Sequence, residues 1–231
     1  MGSRVRRALS VAAGLRQEYG LFRATSMLLI RALARLSGGT VLVCLHKPVG
    51  DIANCRGRLL SRDEVERAAQ DPALDLPPAF VAASKQSSCY GVVIDERVRC
   101  YAWTSPEPVR AVPGTVVTMP SSAAYVFKAF TDPSFRRQGL LRECLNAIEQ
   151  GASREGRTEV TALVEIHNRS SLRAFGNAGF ERCGLVLVLK RPFIAKRVGC
   201  HCATPCTWAR DLDDATSRLR SATEALARHS H

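Results

Sequence analysis

An arginine-rich turn at residues 132–142, DPSFRRQGLLR, has the residue types and spacing of an anion-binding site. It follows a β-rich apolar segment at 125–130 and opens a run of apolar residues at helical spacing. The first backbone N–H groups of a helix have no partner within the helix and carry the positive end of its dipole. Gly139 lets a bulky anion approach the backbone without meeting a Cβ atom. The turn therefore predicts a phosphate site between a strand and a helix.

A second motif lies about thirty residues further along the chain. Residues 168–181, NRSSLRAFGNAGFE, predict a short helix with Asn168 as its N-cap and Gly179 as its C-terminal stop. Between the two motifs, residues 159–166 show the alternation of a half-buried strand. The predicted order is strand, anion-binding turn, helix, strand and Asn-capped helix.

The two motifs, in this order, resemble the GCN5-related N-acetyltransferase (GNAT) superfamily. Arg136-x-x-Gly139 is similar to its Q/R-x-x-G-x-G/A acetyl-CoA motif, and Asn168 to Phe180 is similar to its closing N-x-x-S…Y-x-x-x-G-F signature. The resemblance runs from about residue 88 to residue 190. It implies acetyl-CoA as the co-substrate, an amine as the acceptor, and an α+β fold. In that fold helices flank a central, twisted, mixed and mostly antiparallel β-sheet.

The resemblance also assigns residues to the co-substrate. It implies that the strand edge at Phe130 and Thr131 pairs with the pantetheine arm and that a backbone N–H there stabilises the oxyanion. Asn168 would contact the pantetheine arm, cap its own helix, or do both. The residues expected to bind acetyl-CoA are Phe130, Thr131, Arg136, Arg137, Gln138, Gly139, Leu140, Leu141, Arg142, Asn168, Ser171 and Phe175.

Two residues depart from the family pattern. Leu141 stands where Gly or Ala is preferred, which would narrow the phosphate site. Phe175 stands where many members carry a tyrosine that protonates the departing thiolate, and phenylalanine has no proton to donate. Glu165 and His167 are the candidate bases, acting directly or through water. The alternative is that Glu165 is a solvated strand residue and His167 a turn residue.

The predicted function is transfer of an acetyl group from acetyl-CoA to an amine by direct attack. The alternative is a non-catalytic acyl-CoA-binding module that docks on a partner or a membrane surface, which Phe175 favours. The formal net charge of +12 suits anionic acceptors, although CoA is itself an anion. A nucleic-acid partner is not expected, because charge alone supports it and no recognised motif is present.

Three regions are predicted: a basic amphipathic helical arm (1–36), the GNAT-like domain (37–195), and a Cys-rich turn followed by a C-terminal helix (196–231). Within the domain we expect strands at 41–45 and 185–189, a helix at 62–70, and a loop at 71–78. A hairpin is expected at 90–103, turning at Asp95 and Glu96. Residues 105–120, with four prolines, are expected to form a loop near the acceptor site.

The arm holds half of the excess positive charge, with seven arginines and one glutamate. Residues 4–36 therefore suit peripheral contact with an anionic membrane, a clamp on an acidic partner, or packing on the domain with a solvated arginine face. The spacing from Trp208 to Leu226 predicts a short heptad seam, which would form a homodimer or pack back on the domain.

Nine cysteines, scattered and odd in number, do not suggest a disulfide framework. A cytoplasmic location is expected, with or without attachment to a membrane surface. Cys200, His201, Cys202 and Cys206 crowd into seven residues, which suits exposed thiols better than a tetrahedral zinc site, so no metal is expected.

Overall fold

The computed structural model describes residues 39–52, 54–84, 86–106, 109–112, 115–190, 193–198 and 207–210. Its helices are α1 (Arg62–Ala68), α2 (Pro78–Ala83), α3 (Leu140–Arg154) and α4 (Arg169–Asn177), with a 3₁₀ turn at Pro133–Phe135. Its strands are β1 (Thr40–Pro48), β2 (Arg58–Leu59), β3 (Ser88–Ile94), β4 (Arg97–Ser105), β5 (Val109–Val112), β6 (Thr115–Thr118), β7 (Ala123–Thr131), β8 (Glu159–Glu165), β9 (Glu181–Lys190), β10 (Phe193–Val198) and β11 (Thr207–Arg210).

Eight of these strands form one mixed sheet in the order β10-β9-β1-β8-β7-β4-β3-β2. Neighbouring strands are antiparallel except β7 and β8, which are parallel. A parallel pair needs a crossover connection, and α3 supplies it between β7 and β8. The predicted α+β class, with a mixed and mostly antiparallel sheet flanked by helices, is confirmed.

One face of the sheet packs on α3 and α4, and we call it the α3 face. Alternate residues of each strand point to this face. The face of α3 that contacts the sheet carries Leu145 and Ile148, which are 2 % and 1 % exposed. They pack with Val126 of β7 and Ala162 of β8 in one buried cluster. The parallel strand pair is therefore held in place by the helix that follows the anion-binding turn.

The opposite face carries most of the large aromatic side chains, and we call it the aromatic face. Helices α1 and α2 pack there against β3 and β4, with Val65 and Val81 buried beside Tyr101 and Trp103. Ser61 begins α1 with a capping box, because its side chain accepts from Glu64 N–H while the Glu64 carboxylate accepts from Ser61 N–H. The expected helix at 62–70 is thus present.

One prediction of irregular structure is wrong. In place of the loop expected at 105–120, β5 and β6 form a hairpin. Strand β11 pairs with β6 through Trp208 and Val117, which makes a second, three-stranded sheet. The predicted heptad seam is therefore wrong at Trp208, which lies in a strand. The loop expected at 71–78 is present as far as residue 77, and α2 begins at Pro78.

Several predictions concern residues outside the described ranges. These are the helical arm at 1–36, the cysteine cluster at 200–206 and the seam beyond residue 210. Within the described ranges, no helix has the length and apolar character needed to span a membrane. The six described cysteines are free thiols, and Cys44, Cys144 and Cys183 are buried.

Candidate functional site

The parallel strands β7 and β8 separate before either of them ends. Their last paired residues are Val126 and Ala162. Strand β7 continues to Thr131, and among the described strands only β4, on its other side, pairs with this part. A wedge-shaped opening is left between the carboxyl ends of β7 and β8. Because no strand in the described part of the chain pairs with the β8 side of β7 here, an extended ligand can pair with its backbone groups.

A β-bulge in β7 lies at the start of the opening. Phe127 is opposite Trp103 and Phe130 is opposite Tyr101, so β7 has one residue more than β4 between these pairs. Lys128 takes up this extra residue with a φ of 47°, and its ammonium group pairs with Asp75 at 2.7 Å. A bulge bends its strand, and this one lies where β7 and β8 cease to pair.

The edge of β7 that faces the opening belongs to Thr131 rather than Phe130. Asp132 N–H donates to Arg99 O on β4 at 2.8 Å. Because backbone groups alternate between the two sides of a strand, the N–H and C=O of Thr131 point the other way, into the opening. The Arg136 side chain donates to Thr131 O there at 3.3 Å, and its guanidinium lies 5.7 Å from the Phe130 ring.

Asp132 fixes the turn that follows β7. Its carboxylate is 4 % exposed and pairs with Arg99 at 3.0 Å. The same carboxylate accepts from Ser134 N–H at 2.9 Å, which starts the 3₁₀ turn. The Arg99 guanidinium also lies 4.5 Å from the centre of the Phe135 ring. This buried ion pair positions the anion-binding turn relative to the sheet.

The turn presents unpaired donors. Arg137 and Gly139 have φ values of 65° and 77°, and such left-handed residues curl a backbone into an anion-binding concavity. Glu143 N–H makes the first helical bond, to Gly139 O at 3.2 Å. No hydrogen bond between described residues uses the backbone N–H groups of residues 137–142. A Cβ atom at Gly139 would meet no atom within 4 Å, so there is room above these donors.

Charge at the turn is strongly positive. Arg136, Arg137 and Arg142 are all exposed there. Leu140 is buried in the core, and Leu141 is half-buried and packs against the same cluster. Leu141 therefore contributes packing to the base of α3. These surroundings suit a pyrophosphate group.

The second motif forms the other wall of the opening. Asn168 caps α4, because its side-chain oxygen accepts from Ser171 N–H at 3.1 Å and from the Ser170 hydroxyl at 2.9 Å. The predicted helix stop is also present, since Gly179 follows α4 with a φ of 89°. The Asn168 oxygen is used by the cap, which leaves its NH₂ group for a ligand.

Phe175 lies in the core beneath the opening. It is 4 % exposed and makes an edge-to-face contact with Phe180, with 5.0 Å between ring centres. Among the described tyrosines, Tyr101 donates its hydroxyl to Asp75 O at 2.5 Å, and burial raises its pKa above the usual range. This phenol is therefore held as a neutral donor to the backbone, away from any ligand.

Glu165 and His167 pair with each other at the carboxyl end of β8. His167 Nε2 lies 3.1 Å from Glu165 Oε2, and the side chains are 62 % and 44 % exposed. Glu165 lies two positions beyond Leu163 along β8, so it shares the aromatic face with that residue. The fold thus places both candidate bases at the mouth of the opening, open to solvent.

Cys100 and Cys144 are two buried thiols close to this site. Cys100 lies beneath Thr131, with 3.3 Å between its sulfur and the Thr131 hydroxyl, and it is fully buried. The neighbouring Cys144 donates to Tyr90 O at 3.2 Å. Its hydrogen bond with Cys100, and then its burial, raise the pKa of Cys144 well above the usual value. The buried thiol of Cys144 is therefore kept protonated.

The sequence did not reveal residues whose contacts form only when the sheet is folded. Arg99 precedes its partner Asp132 by 33 positions, and no motif links them. No glycine or other sequence signal marks the position of the bulge at Lys128. Both depend on the pairing of β4 with β7, which only the folded sheet reveals.

Comparison with protein families gives one match across this site. The sequence model of the acetyltransferase (GNAT) family matches residues 59–180, which is more than half of the chain. Members of this family are N-acetyltransferases, and acetyl-CoA is their co-substrate. The predicted family is confirmed, and the predicted enzyme class and co-substrate are those of its members. A search of curated protein sequences found no match.

Solved structures with a similar fold include a GNAT-family protein from Novosphingobium aromaticivorans, with 21% identity and a TM-score of 0.47. The match covers 64% of this chain and 62% of that one, which is less than two thirds of its length. The Escherichia coli ribosomal-protein-S18-alanine N-acetyltransferase has 16% identity and a TM-score of 0.40, with 54% and 76% covered. The aminoglycoside acetyltransferase AAC(6')-Iy, in complex with a CoA bisubstrate analog, has 19% identity and a TM-score of 0.42, with 56% and 92% covered. These similarities concern the fold alone.

Proposed function

Because the chain belongs to the acetyltransferase (GNAT) family, we propose that it transfers an acetyl group from acetyl-CoA to an amine by direct attack. The observation that carries this proposal is the opening between β7 and β8 beside a turn with unpaired N–H groups. One extended molecule can place an anionic group at the turn and a thioester in the opening. The arginine-rich turn and the free strand edge both suit acetyl-CoA.

Each part of the co-substrate has a matching group in this chain. The N–H groups of residues 138–142 and the side chains of Arg137 and Arg142 would bind the pyrophosphate. The free edge of β7 at Thr131 would pair with an amide of the pantetheine arm. The NH₂ group of Asn168 would donate to the same arm from the other wall. Arg136 would leave Thr131 O to admit it.

The strand edge also suits the reacting carbonyl. When an amine adds to the thioester carbonyl, the carbonyl oxygen gains negative charge. The Thr131 N–H points into the opening and would donate to this oxygen. A donor already oriented toward developing charge is worth roughly 3–4 kcal/mol in related acyl-transfer sites. The C–N bond forms, the C–S bond breaks, and CoA leaves as its thiolate.

Proton transfer is assigned to the Glu165–His167 pair. The acceptor arrives as an ammonium ion and must lose a proton before it attacks. Glu165 and His167 lie on the aromatic face at the mouth and would remove that proton, directly or through one water. Since Phe175 has no hydroxyl, the thiolate would take its proton from solvent or from protonated His167.

The test measures CoA release with a panel of amines. Glu165→Gln and His167→Asn are each expected to lower kcat/KM by about a hundredfold, with the Kd for acetyl-CoA unchanged. Glu181→Gln is the matched control, because this exposed carboxylate lies at the start of β9 and should leave both constants unchanged. Equal activity of Glu165→Gln, His167→Asn and the wild type would remove the pair from the mechanism.

One observation favours a second function, an acyl-CoA-binding module without turnover. Phe175 is buried in the core and has no hydroxyl to act as an acid. This alternative predicts saturable binding of acetyl-CoA and no CoA release with any amine in the panel. The same assay therefore separates the two functions.

The remaining sequence predictions extend this proposal. Residues 4–36 carry seven arginines, which suit contact with an anionic surface, and they lie outside the described ranges. We propose peripheral attachment of a cytoplasmic enzyme to an anionic membrane. Sedimentation with anionic but not neutral vesicles would support this attachment.

The sequence analysis also left a homodimer open. Light scattering of the purified protein would decide between a monomer and a homodimer.

A further inference from the structure

On the side of the sheet away from α3, strands β1, β8 and β9 share a cluster of apolar side chains, which we call the β1 cluster. Its members are Leu42, Cys44, Leu163, Cys183, Val186 and Val188. Val186 and Val188 are fully buried, and Leu42 is 2 % exposed. Neighbouring strands lie beside these side chains and not above them. A sheet face buried to this extent must therefore pack against another layer.

None of the described helices supplies that layer. Every member of the β1 cluster belongs to β1, β8 or β9, and no residue of α1, α2, α3, α4 or the second sheet is among them. Helices α3 and α4 pack on the other side of β1, where Val43 and Leu45 are buried. Helices α1 and α2 pack against β3 and β4. The cover of the β1 cluster therefore comes from residues outside the described ranges or from another molecule.

The segment that precedes β1 joins the sheet beside this cluster. Gly39 lies so close to β9 that a Cβ atom there would collide with the Val188 carbonyl oxygen. Leu42, the first member of the cluster along the chain, follows three residues later. Residues 37–39, Ser-Gly-Gly, separate Leu36 from β1, and two glycines in succession permit a sharp reversal of the chain. The preceding segment can therefore fold back onto the cluster.

The sequence of residues 21–36 suits an apolar sheet face. On a helix with 100° per residue, Phe22, Leu29, Leu33 and Leu36 fall within about 60° of one another. The arginines of this segment lie outside that apolar stripe. A helix of this length would be about 24 Å long, and the nine residues of β1 span about 30 Å. The segment is thus long enough to cover the cluster and amphipathic enough to keep its arginines in solvent.

We propose that residues 21–36 pack on the β1 cluster through this apolar stripe and that the end of the segment forms one wall of the acceptor entrance. The second part rests on the proposed function. Glu165 is opposite Leu42 in the β1–β8 pair, at the end of the cluster where the segment joins the sheet. It shares a sheet face with Leu163, two positions before it. An amine that approaches Glu165 therefore passes the end of this segment.

Cys44 and Cys183 can report on the cover, because both are buried thiols of the β1 cluster. The full-length protein is treated with N-ethylmaleimide, and mass spectrometry measures the labelling rate at each cysteine. Leu33→Asp places a charge on the apolar stripe and is expected to speed labelling of both thiols about tenfold or more. Ala24→Asp is the matched control, since it adds the same charge about 180° around the helix. It should leave both rates unchanged.

The thiol of Cys144 distinguishes loss of the cover from unfolding of the domain. Cys144 is buried on the α3 face, so its labelling in Leu33→Asp should stay as slow as in the wild type. Unchanged labelling of Cys44 and Cys183 in Leu33→Asp would overturn the proposal. Faster labelling of these two thiols in Leu219→Asp, but not in Leu33→Asp, would assign the cover to residues 211–231 and would also overturn it.

Amide hydrogen exchange of the wild-type protein gives a test that needs no variant to fold. A segment packed on the sheet has protected amides, so residues 28–36 should exchange far more slowly than an unstructured peptide. Exchange of these residues at the peptide rate would overturn the proposal. Labelling of Cys44 that becomes faster on dilution of the protein would identify a second copy as the cover, which would overturn it as well.

The CoA-release assay tests the wall of the acceptor entrance separately. Leu33→Asp is expected to raise KM for the best amine of the panel and to leave the Kd for acetyl-CoA unchanged. Faster thiol labelling with an unchanged KM would support the packing and overturn the wall. Because thiol labelling needs no turnover, failure of the proposed function would leave the test of the packing intact.

Discussion

At the level of single residues, two glycines have similar backbone conformations, but only one of them lies at the anion-binding turn. Gly139 and Gly156 have φ values of 77° and 71°, and a Cβ atom at either would meet nothing within 4 Å. Gly139 begins α3 at the anion-binding turn, whereas Gly156 follows the far end of the same helix. They differ in position and hardly at all in local strain.

Gly139→Glu is expected to lower acetyl-CoA affinity at least tenfold, while Gly156→Glu leaves it unchanged. Both variants force a side chain into left-handed backbone and should lose a similar stability, about 1–2 kcal/mol. Only the first of the two positions lies where phosphate would bind. Calorimetric titration with acetyl-CoA, together with thermal unfolding, checks both parts. Equal affinity in the two variants would show that the turn does not bind the co-substrate.

At the level of elements, the sequence predicts those whose signals are local. The hairpin turning at Asp95 and Glu96, the Asn168 cap and the Gly179 stop depend on neighbouring residues alone. The β5–β6 hairpin could not be found in this way, because the prolines around it favour a loop. It is completed by Thr207–Arg210, a segment about ninety positions away.

At the start of α4, Asn168 has a capping role and a proposed role in binding the pantetheine arm, and two substitutions separate them. Asn168→Ala removes the cap and should destabilise the protein by about 1 kcal/mol. Asn168→Asp keeps an oxygen for Ser171 N–H and places a negative charge at the helix start, so stability should be retained. If the Asn168 NH₂ group binds pantetheine, Asn168→Asp will still weaken acetyl-CoA binding. Unchanged affinity in Asn168→Asp would limit Asn168 to capping.

Glu64, in the first turn of α1, is expected to make the stability of the protein depend on pH. Hydrogen bonds from Arg58, and then from Ser61 N–H, lower the pKa of Glu64 from 4.5 to about 2. A carboxylate whose pKa is lowered by folding stabilises the fold at pH values above the pKa of the unfolded chain. This stability is lost as the pH falls from 4.5 toward 2. Glu64→Gln should lower the Tm at neutral pH, and the difference from wild type should shrink as the pH approaches about 2. A difference that is constant over this range would contradict the assignment.

At the level of the whole molecule, strand β1 ties distant parts of the chain together. It lies between β8 and β9, antiparallel to both, in the middle of the sheet. Its Lys47 pairs with Glu149 of α3, whose carboxylate is 3 % exposed and also accepts from Gly50 N–H at 2.8 Å. The helix that carries the anion-binding turn is thus anchored to a strand from the start of the domain.

Lys47→Met is expected to destabilise the protein by about 3–5 kcal/mol, because it leaves the buried Glu149 carboxylate without its cation. Adding Glu149→Gln should recover much of this loss. Denaturant unfolding of the two variants gives the comparison. A stable Lys47→Met variant would show that the ion pair does not hold α3 in place.

The candidate site shows the same division between local and distant signals. The arginine-rich turn and Asn168 are recognisable in the sequence because each motif is contiguous. The Arg99–Asp132 pair is not, since the pairing of β4 with β7 brings its two residues together. Which side of β7 each residue faces also depends on the bulge at Lys128, which has no sequence signal.

Amide hydrogen exchange of the intact protein, with and without acetyl-CoA, tests most directly whether the co-substrate binds at the opening. We expect acetyl-CoA to slow exchange in segments that cover residues 129–142 and the Asn168 helix start. Exchange in the β3–β4 turn at Asp95 and Glu96 should not change. Slower exchange elsewhere, with none at residues 129–142, would contradict the proposed site and the mechanism built on it.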